Sequence, residues 1–167
     1  MLHRQIRAAE DGDLQVKIEP VNSINLLKSS VGKISSHEAG QNKKVIIAGN
    51  SANIDFETDK LLFQRVIINL LKNALEATQK EGTVVAGVED NGDKISFWVK
   101  NDEVIPIDVQ MQLFQRSFST KGQNRGIGTY SIKLLTENYL KGKVSFISNE
   151  TVGAVFSIEL NKLFPAH

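Results

Sequence analysis

A long helical pattern, Asp59 to Lys80 (DKLLFQRVIINLLKNALEATQK), dominates this sequence and sets what must surround it. At about 100° per residue, Leu61, Leu62, Phe63, Val66, Ile67, Ile68, Leu70, Leu71, Ala74, Leu75 and Ala77 cover most of the circumference, as in a largely buried helix. Arg65, Asn69, Lys72, Asn73 and Glu76 fall together in one stripe about 100° wide. Asparagine is a mediocre helix former because its amide competes with the backbone. Two of them four residues apart on one face in mid-helix suggest a task for those amides. Periodicity alone leaves two readings open, the solvent face of an amphipathic helix or a binding surface.

A helix apolar on most sides needs a core around it. The 167 residues, 41% hydrophobic and 23% charged, supply enough for one domain and give no sign of disorder. A net charge of +1 without a Lys/Arg run offers no electrostatic footprint for nucleic acid or an anionic membrane. The absence of cysteine removes disulfides, thiolate zinc sites and thiol nucleophiles, and fits a cytoplasmic protein. No run approaches the roughly 18 apolar residues of a membrane span, and MLHRQIRAAEDGDLQ lacks the apolar centre of a signal peptide.

In chain order, Met1 to Glu10 tolerates helix and Asp11-Gly12-Asp13 breaks it. Leu14 to Ile18 alternates as a strand does, with Pro20 closing it. Asn22 or Ser23 can cap a helix that ends near Gly40. Lys43 to Ala48 reads as a strand, Gly49-Asn50 as a turn, and Ile54 to Glu57 as a short strand feeding the central helix. Thr83 to Val88 and Lys94 to Val99 bracket Asp90-Asn91-Gly92-Asp93, a strong hairpin signal. Helices are predicted over Ile107 to Phe118, introduced by Pro106, and over Gly128 to Leu140. Lys143 to Ser148 and Ala154 to Leu160 make a closing hairpin. Helices alternate with strands while hairpins intervene, which predicts a two-layer α/β sandwich: a mixed sheet with helices on one face. The expected division is a tail over 1–12, one domain over 13–162 and a tail over 163–167.

Two further constellations carry polar chemistry. In LFQRSFSTKGQNRGIGTY, Phe114 to Tyr130 with the preceding Leu113, three glycines with Lys121 and Arg125 precede an amphipathic helix. A helix start offers unpaired N–H groups and a positive dipole end to a phosphate, and glycine lets the backbone approach an anion closely. A surface loop leading into a helix has the same composition, so this segment alone decides nothing. It is not a P-loop, and Gly126-Ile127-Gly128 does not follow a strand as a dinucleotide fingerprint would. The other constellation is Asn101-Asp102-Glu103-Val104-Ile105-Pro106, a polar exit from the strand ending Trp98-Val99-Lys100.

These pieces in this order resemble the histidine-kinase-type ATPases, the superfamily that includes gyrase, heat-shock chaperone and mismatch-repair ATPases, over roughly Leu14 to Leu160. N-L-L-K-N-A-L-E-A resembles the N-box, which implies Asn73 on Mg²⁺ and Asn69 facing the phosphates. Phe114 and Phe118 match the F-box, Gly126 and Gly128 the G2 box, and the loop from Ser119 to Arg125 is by that likeness a mobile ATP lid. The resemblance implies nucleotide contacts from Ile105, Phe118, Lys121, Arg125, Gly126, Ile127, Gly128 and Thr129. Thr151-Val152-Gly153-Ala154-Val155-Phe156 resembles a degenerate G-T-x-F box, to which no chemistry is assigned. The chain departs from the pattern at the G1 box, D-x-G-x-G, whose Asp accepts the adenine amino hydrogen. Both glycines are absent and the segment is one residue shorter. Aligned on Val99, Asn101 takes the Asp position; aligned on Ile105-Pro106, Asp102 does. An amide oxygen accepts the same hydrogen bond that a carboxylate would.

Members that hydrolyse ATP carry a Glu as general base four residues before the Mg²⁺-binding Asn, and this chain has Asn69 there. An amide takes no proton at neutral pH, so the resemblance implies a kinase that holds ATP for another group to attack, with Asn69, Lys72 and Asn73 as the catalytic set. His37-Glu38 resembles the start of a phosphoacceptor box but sits where a helix ends, and His3 and His167 are terminal. The acceptor is therefore expected on a dimerisation domain upstream of Met1, without which this catalytic domain is inactive. The implied ligands are ATP and Mg²⁺. The implied partners are that phosphoacceptor domain and then a response regulator, with no nucleic acid and no membrane contact. The implied location is cytoplasmic, including the cytoplasmic part of a membrane-bound sensor. Two rival readings stand beside it: a degenerate ATPase-like interaction module, and a serine kinase of the anti-sigma-factor type.

Overall fold

The structure, a computed structural model, describes residues 7–36, 42–110, 112 and 123–165, and for 123–128 the backbone alone. The elements are β1 (Glu19–Asn22), α1 (Ser23–Ser35), β2 (Lys44–Ile47), β3 (Asp55–Thr58), α2 (Lys60–Ala77), β4 (Thr83–Asn91) and β5 (Lys94–Asn101). There follow the single turn α3 (Ile107–Gln110), α4 (Gln123–Leu134) continuing into a π-helical turn (Leu135–Tyr139), β6 (Lys143–Asn149) and β7 (Gly153–Asn161). Five strands form one mixed sheet in the order β2-β4-β5-β7-β6, with β2 parallel to β4 and the other pairs antiparallel. β1 and β3 form a separate antiparallel pair. The helices cover one face of the large sheet, the two-layer arrangement expected from the alternation of elements.

The sheet's inward row, Val84, Ala86, Val88, Ile95, Phe97, Val99, Ile158 and Leu160, is buried beneath α2 and its neighbours. Phe63 of α2 meets Phe97 of β5 edge-on at 4.8 Å, and Phe56 of β3 lies 5.6 Å from Phe97. Aromatic pairs at such distances add about 0.5–1.5 kcal/mol beyond area burial and fix α2 over β5. Leu61 departs from expectation, being 76% exposed. On the helical wheel it falls beside Arg65 and Lys72, at the edge of the polar stripe, and no described element covers its first-turn position.

Capping explains the bounds of α2. Asp59 Oδ1 accepts the Leu62 N–H at 3.0 Å, while Oδ2 accepts the Lys17 N–H at 2.8 Å. One carboxylate thus starts the helix and holds the preceding loop. The strand expected at Leu14 to Ile18 is accordingly irregular, and the strand lies at Glu19–Asn22 with Pro20 inside it, opposite Glu57. Proline is tolerated there because β1 pairs on one side only among the described residues. α2 stops at Ala77, short of Lys80, where Thr78 turns extended. Its last carbonyls are satisfied by Thr78 Oγ1, donating to Ala74 O at 2.7 Å, and by Lys43 Nζ, donating to Leu75 O at 2.6 Å.

Other expected bounds shift. α1 is capped by Asn22, whose Oδ1 accepts the Asn25 N–H, and ends at Ser35 rather than near Gly40. The hairpin between β4 and β5 closes through Gly92 and Asp93, with Gly92 at φ +79°. Beside it Lys162 donates a hydrogen bond to Asp90, which holds that carboxyl below its ordinary pKa. The helix expected from Ile107 to Phe118 is described to Gln110, and residues 113–118 lie outside the described residues. At the N-terminal side a helical turn over 7–10 is closed by Gly12 at φ +77°. It docks through buried Ala9, whose carbonyl accepts from the Tyr139 hydroxyl. Among the described residues no helix is long and apolar enough to cross a membrane.

Candidate functional site

The stripe on α2 is not a free solvent face. Arg65, Asn69, Lys72, Asn73 and Glu76 are all half-buried, because α4 packs along that side of α2. Asn69 Nδ2 donates to the Oγ of fully buried Ser131 at 3.4 Å. Lys72 and Asn73 make no hydrogen bond or ion pair among the described residues, so a cation and an amide stand partly shielded from water with their polar ends uncommitted.

The C-terminal end of α2 meets the end of β5. Thr78, Gln79, Glu81 and Gly82 line a cleft of about 320 Å³ together with Asp102 and Glu103. The two alternative base-reading residues differ sharply here. Asn101 is buried, 4% exposed, and its Oδ1 accepts the Glu103 N–H at 2.9 Å, whereas Asp102 is exposed. The amide oxygen of Asn101 thus shapes its own turn and retains one lone pair for a second donor. Ile105 is half-buried, its N–H held by Ser148 Oγ at 2.8 Å and its carbonyl by Gln110 Nε2 at 2.7 Å.

The glycine-rich constellation is placed differently from its sequence reading. α4 begins at Gln123, ahead of Gly128, so Arg125, Gly126, Ile127 and Gly128 lie within its first turns. Glycine accepts helical angles at roughly 1 kcal/mol relative to alanine, and the early positions of a helix can bear that cost. The open N–H groups of the helix start therefore belong to Gln123 through Arg125 rather than to the glycines at 126 and 128. Thr129 is half-buried on the same helix. Phe114, Phe118, Lys121, the loop from Ser119 to Gly122, and His3, His37 and His167 lie outside the described residues.

Two contacts escaped sequence reasoning. Ser131 reaches Asn69 across 62 positions and Ser148 reaches Ile105 across 43, and neither serine stands in a motif. The one available hint was a serine in the apolar run after Gly128.

Comparison with known proteins bears on this arrangement. The model of the histidine kinase-, DNA gyrase B- and HSP90-like ATPase family matches residues 58–163. A probable C4-dicarboxylate sensor kinase of Halalkalibacterium halodurans is 33% identical over 156 residues, covering 88% of this chain and 29% of the relative. The nucleotide-free catalytic domain of histidine kinase ThkA superposes with a TM-score of 0.78 at 26% identity, covering 88% of this chain and 97% of that one. ThkA in complex with response regulator protein TrrA matches with a TM-score of 0.76 at 22% identity, over 96% of this chain and 47% of that one. The chain spans less than a third of the length of the first curated relatives it matches. The family model covers most of the described core and the two-layer sandwich: this chain is a member of the histidine kinase-, DNA gyrase B- and HSP90-like ATPase family.

Proposed function

We propose that this chain is the catalytic domain of a two-component sensor histidine kinase, holding Mg-ATP and presenting the γ-phosphate to a histidine on a dimerisation domain, from which a response regulator is then phosphorylated. The observation that carries the reading is the pair Asn69 and Asn73, half-buried one turn apart beside α4. Asn73 fits a Mg²⁺ ligand: its amide makes no hydrogen bond among the described residues, and Mg²⁺ accepts one or two protein oxygens together with phosphates and waters. When bound, the ion would neutralise charge on the phosphates. Lys72 adds a cation on the same stripe, and the first-turn amides of α4 offer N–H groups to the anion, with Arg125 on that turn. Gly126, Ile127, Gly128 and Thr129 follow on the same helix, and Lys121 and Phe118 are assigned to the site by likeness alone. Asn101 or Asp102, with Ile105, would bound the adenine end. Phosphoryl transfer needs positioning and charge neutralisation more than covalent chemistry from the protein. Asn69 supplies no base for water, which favours transfer over hydrolysis.

The decisive test is to mix this chain, Mg-ATP labelled at the γ-phosphate, and the dimerisation domain of the same protein. Acid-labile label on the dimerisation domain supports the proposal. Acid-stable label points to a serine kinase. A second reading, an interaction module that has lost its nucleotide, draws on one observation: Asn101 is buried with its oxygen already engaged by the Glu103 N–H. Failure of the chain to bind Mg-ATP in a calorimetric titration would favour that reading.

A further inference from the structure

β5, β7 and β6 end side by side. Asn101 faces Ala154 on β7, and Ala154 faces Ser148 on β6. On leaving β5 the chain crosses the start of β7 and is tied to β6, the Ile105 N–H donating to Ser148 Oγ at 2.8 Å. Two strand spacings are about 10 Å, a span four residues cover without full extension. The crossing is close: a Cβ on Gly153, which has φ +75°, would lie 2.2 Å from the Asn101 carbonyl oxygen and 2.8 Å from Asp102 Cα. The near end of the segment is shaped by Asn101 Oδ1 accepting the Glu103 N–H at 2.9 Å. No residue from Asn101 to Pro106 takes a positive φ. This route needs no glycine, so a segment that lacks both glycines of the family pattern owes its shape to side-chain acceptors at its two ends.

We propose that Ser148 is a positioning residue for the base end of the nucleotide site: by holding Ile105 it keeps the segment from Asn101 to Ile105 in the form that reads adenine. The inference rests on the reading above, in which Asn101 or Asp102 accepts the adenine amino hydrogen. A segment already ordered loses little entropy on binding, and one held at a single end loses more. Removal of the hydroxyl leaves a partly buried N–H without its acceptor and frees the far end of the segment.

The test uses the full chain with Ser148→Ala and Ser148→Thr, each titrated with Mg-ATP and with Mg-GTP and checked by thermal melting. The alanine variant should raise the Kd for ATP about fivefold, with a smaller effect on GTP, so that base preference shrinks. The threonine variant, which retains the acceptor, should restore the preference. A merely structural role would lower the melting temperature without moving the ATP-to-GTP ratio, and that result would overturn the proposal. Should the alanine variant not fold, Ser148→Cys, close in size but a weak acceptor, gives the same readout. A wild-type chain that binds neither nucleotide overturns the nucleotide-site reading together with this inference. ATP binding with the same base preference in wild type and a folded Ser148 variant overturns the role of Ser148 alone.

Discussion

Asn69 and Ser131 meet between α2 and α4, with Nδ2 of the amide donating to the serine Oγ at 3.4 Å. The contact uses the donor end of the Asn69 amide and leaves its carbonyl end for another partner. Asn73, one turn further along the same stripe, has no such brace among the described residues. The two asparagines thus stand in one row, the first braced by a neighbouring helix and the second without a hydrogen-bond partner among the described residues.

Asn73→Ala should abolish detectable Mg-ATP binding while leaving the fold intact, since alanine is the better helix former and Asn73 has no hydrogen-bond partner among the described residues. Calorimetric titration in magnesium, with circular dichroism as the control for folding, checks this. Unchanged affinity would remove Asn73 from the site.

Asn101→Ala should weaken ATP by roughly 1–2 kcal/mol and relax discrimination against GTP, both by loss of an acceptor and by loosening the turn at Glu103. Asp102, exposed at the cleft beside Gly82, is the control. If Asp102→Ala changes base preference and Asn101→Ala does not, Asp102 is the base reader.

The backbone amides of Gln123 to Arg125, in the first turn of α4, should gain protection from hydrogen exchange when a non-hydrolysable ATP analogue binds with magnesium. Lys133, near the far end of the same helix, should show little change. Equal exchange at the first turn in both states would mean that the phosphates do not rest on this helix start.

Gly87→Ala should disturb the outer face of the sheet. A Cβ at Gly87 would lie 2.3 Å from Cζ2 and 2.5 Å from Cε2 of Trp98, its cross-strand partner. The half-buried indole must swing outward, at a cost of roughly 1–3 kcal/mol in stability. Trp98 is the sole tryptophan, so a red shift in emission and a lower melting temperature report the change directly.

Local periodicity and capping chemistry were enough to read most elements and the polar stripe from the sequence, and resemblance to a known family supplied the candidate N-box. The central helix, the Asn69/Asn73 pair, the Asn22 cap and the Gly92 hairpin each depend on residues within a turn or two of one another, so their signal is written in adjacent letters. The tertiary structure alone decided the rest. Asp59 holds Lys17 from 42 positions away, which leaves 14–18 irregular and moves the strand onto Pro20. Packing of α4 along α2 turned the polar stripe from a possible solvent face into a half-buried one, while Leu61, at the edge of that stripe, stays exposed. Ser131 and Ser148 acquire partners 62 and 43 positions distant, and a hydroxyl brought to an amide by the folding of separate elements leaves no spacing in the sequence to betray it.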